Sequence, residues 1–391
     1  MNASTQAFIP YGSQWITDED ISAVVEALRS PWMTQGPLIG AFEKAVAEYC
    51  GARYAVAVAN GTAALHIAAL AAGFGPGDEV LTSPITFVAS ANSVLYAGAR
   101  PAFADIDPKT YCLDPRSVEA RLTAGTKGII PVHFAGQPCD MGALHELAKA
   151  RGLRVIEDAA HAIGATYHHD GQAFRIGSCA HSDMTIFSFH PVKHLTTGEG
   201  GLVTTNDEEL YQKLLLLRSH GITRDPKLMS SSEGPWFYEM QGLGFNYRIT
   251  DFQCALGLKQ LERLDEFLAR RRQIAKAYDS AFATETELVL PNVAPGNDSA
   301  YHLYVVQFKT LPRLDVFNRL REKQLGVNVH YIPVHLQPYY QQTFGFRRGD
   351  YPQAEAYYDH AITLPLYPKM SDEEVAYVIR AVLETVEELR A

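Results

Sequence analysis

The sequence predicts an α/β fold: a mainly parallel sheet packed between helices, followed by a smaller C-terminal α/β part. Three observations predict it. Short apolar runs alternate with helix-period segments between residues 54 and 218. Most of these runs are apolar on both faces, as strands covered on two sides must be. After about residue 250 the alternation gives way to one long helical pattern and a shorter second set of elements.

Taken in order, residues 54–59, 79–81, 102–106, 128–132, 154–157, 184–189 and 201–205 read as strands. Residues 61–72, 88–97, 141–151 and 208–218 read as the helices between them. Residues 251–278 read as a single long helix, with Asp251 as its first-turn carboxylate. Beyond it, 301–308 and 327–331 read as strands, and 313–323 and 371–390 as helices. This divides the chain into an N-terminal arm (1–16), a large domain (17–250) and a connecting helix with a small domain (251–391). The arm is too short and irregular to build a core, so it is expected to pack on another part of the chain or on a partner subunit.

Composition narrows the function. With 391 residues, 47% hydrophobic and 20% charged, the chain is of ordinary globular type. A net charge of -10 argues against a nucleic-acid surface, which needs clustered Lys and Arg. A local pocket for a nucleotide remains compatible with it. No apolar run approaches the roughly 20 residues of a membrane span. The first residues lack a basic and then apolar signal pattern, so a cytoplasmic location is expected. The five cysteines show no paired spacing and read as reduced core thiols. His168-His169 and Cys179-Ala-His181 have no second pair at ligand spacing, so no metal site is expected.

The chemistry centres on Lys193, in Ser188-Phe-His-Pro-Val-Lys193, between an apolar strand and the turn Gly198-Glu-Gly-Gly201. A lysine so held is a candidate Schiff-base nucleophile, whereas a solvated surface lysine needs no such flanks. Asp158 ends the strand that contains Val155-Ile-Glu-Asp158. Ligands of open α/β sheets bind at the carboxyl ends of strands. An aspartate there suits the pyridinium nitrogen of pyridoxal 5'-phosphate (PLP), although taken alone it is equally a strand-end cap. His161, three residues on, reads as a neighbour of the cofactor's phenolic oxygen or as a structural histidine. Asn60-Gly61-Thr62 opens a helix after a strand, a weak anion-site pattern by itself. Ser188 is a second candidate phosphate ligand. Phe87 is a candidate to stack on the cofactor ring or a plain core residue. The charged run 262–272 reads as a solvated helix face.

Several segments in the same order resemble the DegT/DnrJ/EryC1/StrS sugar aminotransferases. They are Trp32-Met-Thr-Gln-Gly36, Asn60-Gly-Thr-Ala-Ala-Leu65, Glu157-Asp-Ala-Ala-His161, Ser188-Phe-His-Pro-Val-Lys193, Gly200-Gly201 and Gly244-Phe-Asn-Tyr-Arg-Ile-Thr-Asp251. The resemblance implies the fold-type I architecture of PLP-dependent transferases and a homodimer with shared active sites. It implies that Lys193 binds the cofactor aldehyde and Asp158 its ring nitrogen. Gly61, Thr62 and Ser188 would hold the phosphate, Phe87 would cover the ring, and Asn246 would reach the phosphate of the other subunit. Pro10-Tyr-Gly-Ser-Gln14, Tyr301-His-Leu-Tyr304 and Val329-His-Tyr-Ile-Pro-Val-His335 resemble the branch of that family that serves pseudaminic acid synthesis. That points to L-glutamate as amino donor and a UDP-linked 4-keto-6-deoxy amino sugar as acceptor. Tyr11, Arg248, His330 and Tyr331 are the candidate substrate residues, with Arg248 a candidate for the donor carboxylate. Acceptors carried on dTDP or GDP, or aminated at C3, stay open. The dehydratase branch carries histidine in place of the lysine, and Lys193 argues against it. A non-catalytic regulator of the same fold is the remaining alternative.

Overall fold

In the computed structural model, which describes residues 7–390, seven strands form the central sheet. Their order is Tyr54–Val58, Gly201–Thr205, Met184–Ser188, Arg154–Asp158, Thr126–Ile130, Glu79–Thr82 and Arg100–Phe103. All run parallel except Gly201–Thr205, which is antiparallel to both neighbours. The parallel strands are joined through helices such as Gly61–Ala71 and Met141–Arg151. The antiparallel strand returns directly, which parallel neighbours cannot do. That return carries Lys193.

The sheet is apolar on both faces because a helical layer covers each. On one side Phe42, Val46, Phe187, Leu202 and Phe189 pack together; on the other Ala64, Ile67, Ala68, Ile186 and Val203 do. A second core gathers Ile274, Tyr278, Phe282, Tyr304, Val306, Ile362, Val378 and Val382. It lies between helices Leu264–Phe282 and Asp372–Arg390 and the antiparallel strands Leu288–Val289, Tyr304–Phe308 and Ala361–Leu364. The arm joins this core: Ile9–Pro10 pairs in parallel with Leu325–Gly326, and Ile9 is buried. Residues 1–6 of the expected arm lie outside the described residues. The five cysteines are buried and unpaired. No helix among the described residues is long and apolar enough to cross a membrane.

Three readings are corrected. Residues 251–278 are not one helix: Asp251–Glu262 ends at Arg263, whose φ of -106° and ψ of 4° are not helical, and Leu264–Phe282 follows. Periodicity continues through a one-residue break, so the pattern hid it. The run 262–272 is not simply a solvated face, since Arg271 is wholly buried beside Phe267 and Leu268. Residues 327–331 form no strand; Asn328 alone bridges to Thr363 before the chain turns toward Pro333. Asp251 does more than start its own helix. Its carboxylate accepts from the N–H groups of Gly36 (2.8 Å) and Leu38 (3.0 Å), at the N-terminus of helix Pro37–Cys50.

Candidate active site

The site is built at the carboxyl ends of Arg154–Asp158 and Met184–Ser188, adjacent parallel strands in which Asp158 pairs with Ile186. After Ser188 the chain makes a tight return to Gly201. The Phe189 N–H donates to the Gly200 carbonyl at 2.8 Å, and Thr196 Oγ1 donates to the Phe189 carbonyl. Lys193 sits on this return, its N–H bonded to the His190 carbonyl at 2.9 Å. Its side chain is partly buried, and no hydrogen bond or ion pair holds Nζ among the described residues. Burial pushes its amine down from 10.5 to about 8, against the opposing charge of Asp158.

Asp158 is buried at the strand end. One carboxylate oxygen accepts from Ser90 Oγ at 2.6 Å and the other from the Ala160 N–H at 3.2 Å. Ser90 in turn shares a 2.7 Å bond with Thr86. Sequence reasoning missed Ser90, although it lies three residues after Phe87, one helical turn away. Beneath Asp158, Glu157 points to the opposite face and pairs with His133 Nε2 at 2.8 Å, both fully enclosed. His133 Nδ1 accepts from the Cys139 N–H, so this pair ties the strand to the loop after Ile130.

Around Lys193 stands a wall of imidazoles. The rings of His161 and His302 lie 4.3 Å apart, and those of His302 and His194 5.5 Å apart. Burial, with the charges of Lys193 and the neighbouring histidines or Arg271, holds all three well below the ordinary histidine range. His194 Nε2 donates to the Ala300 carbonyl at 3.0 Å. His330 lies beside Tyr11 and bonds Thr363 Oγ1; burial and Lys193 bring it down to about 3. Tyr331 Oη meets His161 Nε2 at 3.1 Å, and its ring leans toward Phe87. Phe87 is 60% exposed, which the core reading of it does not accommodate. Sequence reasoning gives His302 no role, although it stands in Tyr301-His-Leu-Tyr304, and reads Arg271 as part of a solvated run; both are distant from Lys193 along the chain.

The phosphate candidates also converge. Asn60 caps helix Gly61–Ala71, and a Cβ on Gly61 would come within 2.9 Å of the Ser188 Cβ. A Cβ on Gly201 would press on the Asn60 carbonyl at 2.4 Å, so both glycines are needed for the close approach of turn and strand. The hydroxyls of Thr62 and Ser188 have no protein partner among the described residues. Asn246 is exposed, on a loop pinned to the same turn by a 2.8 Å bond from the Ala59 N–H to the Tyr247 carbonyl. Arg248 is partly buried and forms no ion pair among the described residues. No hydrogen bond or ion pair joins it to Lys193 or Asp158 among the described residues.

These residues fit PLP. Two unpartnered hydroxyls, Thr62 at a helix start and Ser188 at the strand end beside it, accompany an exposed aromatic ring at Phe87 and a lysine with a lowered pKa beside a buried carboxylate. His161 Nδ1 is buried without a partner. The family model of the DegT/DnrJ/EryC1/StrS aminotransferases matches residues 14–383. The chain belongs to that family. PLP is therefore its cofactor, and amino-group transfer its reaction class. The spore coat polysaccharide biosynthesis protein SpsC of Bacillus subtilis is 45% identical over 384 residues, 97% of each chain. GDP-perosamine synthase of Caulobacter vibrioides is 39% identical, covering 92% of this chain and 93% of that one. Helicobacter pylori PseC, an aminotransferase in pseudaminic acid biosynthesis, superposes with a TM-score of 0.88 at 30% identity, covering 97% of this chain and 100% of its own. Spr1654 of Streptococcus pneumoniae in its PLP form gives 0.90 at 33% identity, over 98% of this chain and 99% of that one.

Proposed function

We propose that this chain transfers the amino group of L-glutamate to C4 of UDP-2-acetamido-2,6-dideoxy-β-L-arabino-hexos-4-ulose. The product would be UDP-4-amino-4,6-dideoxy-N-acetyl-β-L-altrosamine, an intermediate of pseudaminic acid synthesis. The observation that carries the aminotransferase chemistry is Lys193, poised at about 8 beside buried Asp158. The likeness to PseC supports the acceptor.

When bound, PLP supplies an electron sink for a carbanion. Gly61, Thr62 and Ser188 are assigned to its phosphate, Asp158 to its ring nitrogen, His161 to its phenolic side and Phe87 to one ring face. Ser90 and the Ala160 N–H hold the Asp158 carboxylate in place. Near neutral pH a useful fraction of Lys193 is free amine, so it takes the Cα proton of the donor. The same amine then delivers a proton to sugar C4 from its own side, which fixes the stereochemistry of the new amine. In this reading two copies of the chain share their sites, with Asn246 reaching the neighbour's phosphate. Exposed Trp32, Met33, Trp236, Met240 and Leu243 offer apolar surface for such a partner.

A second reading follows from the Caulobacter relative: a GDP-linked 4-keto-6-deoxy sugar as acceptor. The test is incubation with glutamate and a panel of UDP-, GDP- and dTDP-linked 4-keto sugars, with products identified by mass and NMR. Amination of the UDP sugar alone supports the first reading. Preference for the GDP sugar replaces it with the second.

A further inference from the structure

We propose that Tyr331 is a further catalytic residue, the proton donor to the keto oxygen that leaves as water, and that His161 and His302 position its hydroxyl. This rests on the aminotransferase reading above and deepens it.

Amination of a ketone needs an acid for oxygen as well as a base for carbon. Lys193 serves carbon, and Asp158 is engaged as an acceptor by Ser90 and Ala160. Tyr331 offers a hydroxyl at the same site: its ring stands 6.3 Å from exposed Phe87 and its oxygen 3.1 Å from His161 Nε2. With His161 protonated at Nε2, that N–H points at the phenol oxygen and leaves the O–H proton free for a substrate. The imidazole is held by ring contacts on two neighbours. Its ring lies nearly parallel to that of Tyr331, at 23°, and against His302 on the other side. The backbone that carries His302 is fixed in turn by Arg271, whose Nη1 donates to the carbonyls of Tyr301, His302 and Leu366 at 3.2, 3.3 and 3.0 Å. Tyr301 there adopts φ +45°, a conformation an unclamped tyrosine avoids. The ionisable groups felt at Tyr331 are Tyr11, Asp158, Tyr357 and its bonded partner His161. Its chain neighbour His330 is in ring contact with it, and Lys193 acts on both histidines. Burial raises the phenol, so it is neutral and carries its proton at working pH, while His161 is too weak a base to be charged.

The step balances. As the amine nitrogen bonds to C4, the carbonyl π pair moves to oxygen, which takes the Tyr331 proton. The phenolate, supported by the His161 N–H, recovers a proton from that nitrogen. A second such transfer lets the C–O bond break with its electron pair, and water departs. Tyr331 ends as it began, with no co-reactant.

The test separates the half-reactions by stopped-flow on the holoenzyme. Tyr331→Phe is expected to keep the visible cofactor band and to slow amination of the keto sugar about 100-fold, the scale of general acid catalysis. The glutamate half-reaction is expected to slow far less. With 3,5-difluorotyrosine at 331, a stronger acid of nearly the same shape, the keto-sugar half-reaction of the neutral phenol should change rate while the glutamate half-reaction keeps its own. A merely structural tyrosine would leave both unchanged. Equal losses in both halves of Tyr331→Phe, no loss, or a keto-sugar rate indifferent to fluorination would overturn the proposal while leaving the aminotransferase reading intact. A wild-type protein inert to glutamate would sink both.

Discussion

Replacing Asp158 by Asn in the cofactor-free protein should lower the pH at which Lys193 becomes a free amine. Two opposed effects act on that amine: burial drives it from 10.5 to about 8, and the negative charge of Asp158 resists. Asparagine keeps the shape and removes the charge, so burial acts unopposed and the inflection falls below 8. The magnitude is large enough to read. At pH 8 about half of the wild-type Lys193 is free amine, against about 0.3% of a lysine at 10.5, so its nucleophilic rate exceeds that of a solvated lysine roughly 150-fold. The rate of Lys193 acylation by an amine-selective reagent, followed against pH by peptide mass, measures the inflection in both proteins. The linkage has a definite sign. The unfolded chain holds this proton more tightly, so the contribution of Lys193 to folding stability rises as pH climbs from about 8 to 10.5. A wild-type inflection near 10.5, or an inflection that rises in Asp158→Asn, would refute this account of the site.

His133→Ala should cost about 3 kcal/mol in a urea melt, because it leaves the enclosed Glu157 carboxylate without the N–H that His133 Nε2 donates to it. The carboxyl of Glu157 is held below its usual range, against the cost of burial, by His133, Ser182 and Thr185; this stabilisation is present above pH 4.5 and lost as pH falls through the folded value. A pH-independent or negligible loss would show that the pair is idle. For the shared site, a mixed dimer of Lys193→Ala with Asn246→Ala chains should recover one working site of two, since the intact lysine would face the intact asparagine across the interface. PLP binding as weak as in the Asn246→Ala homodimer would mean that Asn246 acts within its own chain.

Much of the site's inventory was legible from residues 60, 158 and 188, because each lies at the end of a strand or just before the following helix, and from Lys193, because it lies on the return that follows Ser188. The alternation of buried runs and helices places such positions on one edge of a parallel sheet whatever the details of packing. Phe87 could not be settled that way: a phenylalanine after an apolar run is usually core, and only its 60% exposure separates the readings. Nor could Asp251, whose carboxylate caps a helix 213 residues earlier in the chain.

The sequence by itself determined the α/β alternation, the lysine on a glycine-rich return and the carboxylate at a buried strand end, since these follow from local periodicity and from what each residue's neighbours allow. Tertiary structure alone decided the rest. It broke the long helical pattern at Arg263, turned the strand Gly201–Thr205 antiparallel and buried Arg271 in a run of charges. It also set His161, His194 and His302 ring to ring, although they are up to 141 residues apart. The reason is physical. Hydrophobic pattern specifies which face of an element is covered, whereas the partner that covers it, and the side chains that meet there, are chosen by packing between elements remote in the chain.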